Sequence, residues 1–237
     1  MSASGHVPPG SRGPSRTFQA PAGFRDSPEA VLAPGEVVGS QYSARRELAR
    51  VESGGLVEAW DMILERTVLL KIAWRDPGSL SLLPEARRCA GLGSDAGVMV
   101  YAIGNHRGVE YVAAERIQGT ALREHLGSYT SAGARLGADE LVALLARIAR
   151  AAAAVHGAGF TIGDLDPETV TLVGTRRVVF GRFALGQVPA VGPTGLCLAP
   201  EVVLGKVAPT DPTAAIAIDL YGLGCLGLIF DITLEVE

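Results

Sequence analysis

A chain of 237 residues with 48% hydrophobic and 19% charged residues is long and apolar enough to bury a core, which excludes a wholly disordered protein. Its net charge of −4 argues against nucleic-acid binding driven by phosphate neutralisation. Cys89, Cys197 and Cys225 are far apart and odd in number, with neither metal spacing nor a disulfide framework, and Met1–Gly13 lacks the charged and apolar regions of a signal peptide, so a reducing cytoplasm is expected.

Residues 1–34 are rich in Ser, Gly, Pro and Arg and carry no apolar period, so they read as a disordered tail. The runs Val37-Val38, Arg46-Glu47-Leu48, Leu56-Val57-Glu58-Ala59-Trp60 and Thr67-Val68-Leu69-Leu70-Lys71-Ile72 are β-prone, punctuated by Gly54-Gly55 and Asp61. Leu82, Ala86, Cys89 and Leu92 recur at helical spacing, and Gly91 and Gly93 mark a stop. Val98–Ile103 and Val109–Ala114 flank a hairpin signal, Gly104-Asn105-His106-Arg107-Gly108. Residues 40–115 thus predict a five-stranded antiparallel sheet with one helix. Lys71 and Lys206 are the only lysines in an arginine-rich chain, so a Lys inside an apolar strand calls for a partner or solvent.

From residue 120 the pattern turns helical. Thr120–Leu126 predicts a short helix and 127–138 a Gly/Ser/Ala-rich loop. Asp139–His156 predicts a long helix with Leu141, Leu144, Leu145, Ile148, Ala152 and Val155 on one stripe, Arg147 and Arg150 off it, and Asp139 and Glu140 in its first turn. Val170-Thr171-Leu172 and Arg177–Gly181 read as strands, and 186–198 as a Gly/Pro loop. A last, very apolar helix spans about Ala214–Ile232. Its apolar run Ala214–Phe230 is slightly short of the ~20 residues of a membrane span and carries Asp219, so it is not expected to cross one. An acid in so apolar a run needs hydrogen bonds, which makes Asp219 a structural brace. The fold class is α+β, a sheet lobe followed by a mainly helical one.

The order of elements and the residues at their junctions resemble a bacterial-type Ser/Thr protein kinase domain from about Tyr42 to Ile232. Val68-Leu69-Leu70-Lys71 is similar to the V-A-I-K strand, whose Lys holds ATP phosphates and pairs with a Glu of the lobe's helix, here Glu85. Residues 155–172 resemble the catalytic loop H-R-D-L-x-x-x-N, with Asp164 at the place of the base. Tyr111–Ile117 resembles the hinge between lobes, with Ala114 as gatekeeper and backbone N–H and C=O groups facing the adenine slot. The resemblance implies a nucleotide site of Lys71, Glu85, Gly54, Glu115 and Ile117. Ala199-Pro200-Glu201 is similar to A-P-E, with Thr194 ahead of it, and Ile218–Gly224 resembles the start of the central helix of the large lobe, whose Asp braces the catalytic loop. The lobes would be 35–118 and 119–237, the second incomplete, because the family's domain continues through further helices, including an Arg that pairs with the residue at Glu201.

The motifs also depart from the family. The glycine-rich loop positions hold Ala49, Val51, Gly54 and Leu56, so side chains obstruct the close backbone approach that phosphates need. Leu69 stands where a small Ala faces adenine. His-Arg-Asp becomes Ile162-Gly163-Asp164, the phosphate-steadying Lys becomes Asp166, and the Mg²⁺-holding Asn becomes Thr169, a poor ligand for a hard cation. Arg182-Phe183-Ala184 occupies the D-F-G site, and shifting the frame to Phe180-Gly181 puts Val179 there, so neither frame supplies a carboxylate. Losing one transition-state contact costs ~3–4 kcal/mol, and several are lost together. The resulting expectation is a pseudokinase-like binding or regulatory module, with ATP binding possible, Mg²⁺ binding weak or lost, and a protein partner or second copy covering the 214–232 helix. The alternatives are an active atypical Ser/Thr kinase or nucleotidyl transferase with a remodelled metal site, and a truncated product without function.

Overall fold

The computed structural model describes residues 31–51, 54–73, 81–94, 96–132, 134, 136–163, 165–187, 197–209, 211 and 214–235. Strands β1 (Val37–Val38), β2 (Tyr42–Val51), β3 (Gly54–Asp61), β4 (Arg66–Ala73), β5 (Val100–His106) and β6 (Val109–Glu115) form one antiparallel sheet in the order β1-β2-β3-β4-β6-β5. The five expected strands are present. The sixth is the two-residue β1, which pairs with Tyr42 and Ser43 at the sheet edge.

The alternation of side chains in β4 decides what faces what. Val68, Leu70 and Ile72 enter one apolar cluster with Val57, Ala59, Tyr111 and Ala113. Leu69 and Ala73 enter another, shared with helix α1 (Leu83–Leu92) and most of the second half of the chain. Lys71, in phase with Leu69 and Ala73, therefore faces α1. That helix has Pro84 in its first turn and buries Ala86, Cys89 and Leu92. Its entry is tied to β6, since Leu82 N–H donates to Glu110 Oε2 at 2.7 Å and Ser81 Oγ lies 3.0 Å from Glu110 Oε1.

Val31 and Leu32, read from the sequence as tail, pack against the sheet instead, while Ala33 and Pro34 are exposed. Leu32 is buried with Val38 and Tyr42, and Val31 N–H donates to Glu47 Oε2 at 2.9 Å. The remainder of that tail lies outside the described residues.

The second half carries a small sheet, β7 (Thr120–Ala121), β8 (Val170–Val173) and β9 (Arg177–Phe180), with helices α2 (Leu122–Ser131), α3 (Ala138–Gly157), α4 (Pro200–Val203) and α5 (Ala215–Glu235). The helix expected at Thr120–Leu126 starts later and runs further. Thr120 and Ala121 pair with Leu172 and Thr171, so ladder bonds to β8 override local helix preference. Helix α3 buries Leu144, Ile148, Ala152 and Val155 of the expected stripe and also Ala151, leaves Leu141 and Leu145 partly buried, and packs against α5. Arg147, off that stripe, donates to the carbonyls of Gly174 and Arg177, each at 2.7 Å, and so ties the β8–β9 turn to α3. Among the described residues no helix is long and apolar enough to cross a membrane.

Candidate nucleotide cleft and catalytic-loop brace

Lys71 and Glu85 meet between β4 and α1. The Nζ donates to Glu85 Oε1 at 2.8 Å and to Oε2 at 2.6 Å, and both side chains are about a quarter exposed or less, at 22% and 24%. The strand supplies the Lys by its two-residue period, and the first turn of α1 supplies the Glu. Gly54, which the sequence assigns to the same site, begins β3 opposite Ala73. A Cβ there would lie 1.9 Å from Ile72 O, so what requires glycine at this position is the close approach of β4.

A tight turn over Ala184–Gln187 lies against this pair. Gln187 N–H donates to Ala184 O at 3.0 Å, and the central residues Leu185 and Gly186 have φ of 52° and 79°. Positive φ at both central positions is the type I′ pattern, costly for Leu185 and offset by complete burial of its side chain. A Cβ on Gly186 would sit 3.7 Å from Lys71 Nζ and 3.7 Å from Leu56 Cδ1, so the turn lies in the space between the glycine-rich-loop strand and the lysine. Cys89 of α1 is fully buried in the same core cluster as Leu185. Burial, aided by the charge of Glu85, pushes its thiol up to about 12.

At the hinge, the Glu115 side chain is held by β9 and a neighbouring backbone amide. Its Oε1 and Oε2 accept a bidentate pair from Arg177 of β9 at 2.6 and 2.8 Å, and Oε2 also accepts from Met99 N–H at 3.3 Å. Burial raises its pKa, but the Arg177 hydrogen bonds and charge outweigh this and hold the carboxyl below its usual value. The backbone of the hinge is engaged as well. Gln187 Nε2 donates to Glu115 O at 2.8 Å, and Ile117 N–H donates to Gln187 Oε1 at 2.8 Å.

Asp164 and Thr194 lie outside the described residues. What flanks Asp164 is well defined. Asp219, 2% exposed on α5, accepts from Ile162 N–H at 2.9 Å and from Gly163 N–H at 2.7 Å, and its Oδ2 lies 2.7 Å from His156 Nε2 at the end of α3. Gly163, where the resemblance expects Arg, has φ of 75°, a conformation that favours glycine. The brace expected of Asp219 is present.

Asp166 is turned inward and almost fully buried. Its Oδ1 accepts from Glu168 N–H at 3.0 Å, while Thr169 Oγ1 lies 3.0 Å from Asp166 O and 3.1 Å from Asp166 N. The pair builds a side-chain-capped turn leading into β8. Arg182 lies in a one-turn 3₁₀ segment, Gly181–Phe183, directly after β9. Its Nη1 donates to Thr161 O at 3.1 Å, Thr161 Oγ1 at 3.3 Å and Ile162 O at 3.4 Å. Phe183 is fully buried against Phe160, with ring centroids 6.0 Å apart. In the shifted frame Val179 is a buried strand residue. Among the described residues no three His, Cys, Asp or Glu side chains converge where a metal ion could sit.

Sequence reasoning brought Lys71 to Glu85 and Asp219 to the catalytic loop, but missed Gln187, Arg177 and His156. Gln187 stands at the edge of an unpatterned Gly/Pro loop, and Arg177 is one charge of a strand. Only their partners across the fold give either a role.

A sheet lobe with a Lys–Glu pair, a hinge and an acid-braced loop defines a protein-kinase-like fold. The chain is accordingly similar to bacterial Ser/Thr protein kinases. It is 28% identical over 213 residues to Ser/Thr-protein kinase PknL of Mycobacterium tuberculosis, covering 86% of this chain and 51% of that protein. It is 23% identical over 204 residues to the probable Ser/Thr-protein kinase pknA2 of Bifidobacterium longum, covering 81% of this chain and 26% of that one. The chain thus spans about half the length, or less, of these curated relatives. The solved kinase domain of Mycobacterium tuberculosis PknI superposes with a TM-score of 0.55 at 22% identity, over 84% of this chain and 76% of that one, which bears on the fold. No family model matches the chain.

Proposed function

We propose that this kinase-like chain is a binding or regulatory module that does not carry out Mg²⁺-dependent phosphoryl transfer. The observation that carries the reading is Arg182. A cation occupies the position where the family places its main metal-binding carboxylate, and its guanidinium is hydrogen-bonded to the Thr161–Ile162 backbone. Asp166 and Thr169 support it, since their side chains are used in a local turn. Phosphoryl transfer of this type depends on metal-ion stabilisation and positioning, so the donor set fits Mg²⁺ poorly. The exposed apolar residues Ile216, Leu220 and Leu228 of α5 make a protein partner or a second copy part of the proposal. The test is phosphorylation of a generic basic protein by the purified chain with Mg²⁺ and ATP. No transfer is expected; transfer that Asp164→Asn abolishes would overturn the reading.

The intact Lys71–Glu85 pair favours a second reading, an atypical ATP-dependent enzyme. It predicts a thermal shift with ATP that Lys71→Ala removes.

A further inference from the structure

We propose that Gln187 is an intramolecular stand-in for the edge of adenine, so that the cleft is closed by the chain itself and a nucleotide must displace the Ala184–Gln187 turn to enter. The proposal rests on reading this cleft as a kinase-type nucleotide site.

Three observations converge on it. The first is hydrogen-bond pattern. A primary carboxamide presents one acceptor and one N–H donor side by side, as does the edge of adenine formed by its exocyclic amine and the adjacent ring nitrogen. Gln187 aims that pair at Glu115 O and Ile117 N–H, both at 2.8 Å, the hinge groups assigned to the adenine slot. The second is position. The same turn places Gly186 beside Lys71 Nζ and Leu56, so one four-residue segment runs from the phosphate-side lysine to the hinge. The third is how the turn is held. Leu185 keeps a positive φ of 52° while fully buried, and Gly186 at 79° has only ordinary contacts around a built Cβ. Side-chain burial on one side and the amide bonds on the other hold a backbone shape that is unfavourable by itself. Residues 184–187 make no ladder bond of either sheet and no bond to Asp219, so opening the turn withdraws Leu185 from the core but breaks neither.

The expected effect follows from population arithmetic. If the open form is a fraction f of molecules, the apparent dissociation constant is the intrinsic one divided by f, and losing two neutral hydrogen bonds should raise f about tenfold. Adenosine and Mg²⁺-free ATP are titrated separately by calorimetry into the full chain, into Gln187→Ala, and into Gly186→Val. The last variant opens the turn through φ while leaving Gln187 in place. Amide hydrogen exchange of Ile117 is followed in parallel.

Both variants should bind adenosine and ATP about tenfold more tightly than the parent, and the Ile117 amide should lose protection in each and regain it with ligand. Equal affinity in parent and variants, or an Ile117 amide that exchanges freely in the parent, overturns the latch. Absence of adenosine and ATP binding by all three forms also overturns it as a competitor of adenine. Each of these results leaves the phosphotransfer assay, and with it the regulatory-module reading, to stand or fall separately.

Discussion

Asp219→Ala tests the architecture most directly. In the intact chain this carboxylate accepts from Ile162 N–H, Gly163 N–H and the His156 ring within 2.7–2.9 Å, while 2% exposed. Truncation removes the acceptor from two buried backbone donors. An orphaned buried donor costs ~1–3 kcal/mol, and bonds to charged groups sit at the upper end of that range. Relief of the desolvation of the carboxylate subtracts from the sum, leaving about 3–5 kcal/mol of lost stability. For a chain of this size that corresponds to a fall in Tm of about 10 °C.

The comparison variant is Lys71→Ala. Its ion pair is partly solvated, and removing it should cost about 1 kcal/mol. Urea unfolding with a shared m-value gives both figures, and hydrogen exchange at Ile162 and Gly163 localises the first. Asp219→Asn should fall between, because one oxygen still accepts while its NH₂ faces a donor. An Asp219→Ala loss no greater than that of Lys71→Ala would refute the claim that this acid holds the catalytic-loop backbone in place.

Two further tests address the hinge and the sheet. Arg177→Met should cost about 2 kcal/mol, because it leaves the Glu115 carboxylate half-buried without its bidentate partner. The folded pKa of Glu115 is depressed, so its stabilisation is present above the ordinary value of 4.5 and lost as pH falls through the lower folded value; Arg177→Met should therefore flatten the acid limb of stability below about pH 4.5, and an unchanged limb would count against the pairing. Gly54→Ala should cost about 1–3 kcal/mol, because its Cβ would stand 1.9 Å from Ile72 O and the β3–β4 pairing must shift to admit it, so an unchanged Tm would contradict the packing argument.

How much was legible in sequence depended on how local the cause was. The β4 strand, the α1 spacing and the α3 stripe follow from periodicity and were read directly. That Lys71 needs a partner or solvent was legible from its place in an apolar strand, but the choice of Glu85 came from the resemblance to the V-A-I-K strand and its helix Glu. The boundary at Thr120 was not, because pairing with Leu172 outweighs a helical preference of a few tenths of a kcal/mol per residue. Asp166 reads in sequence as a charge reversal near the reaction centre, but its carboxylate faces Glu168 N–H inside a turn.

The sequence by itself determined the two-lobe order of elements, the apolar faces and the need of Asp219 for donors, since these follow from spacing and from the cost of burying a charge. The tertiary structure alone decided what the hinge backbone meets. Whether Gln187 meets the hinge depends on two positive φ angles at Leu185 and Gly186 and on a partner some 70 residues away, and no pattern along the chain encodes that meeting. The same holds for Arg182, whose charge is plain in the sequence but whose turn onto the Thr161–Ile162 carbonyls is set by how β9 enters the loop.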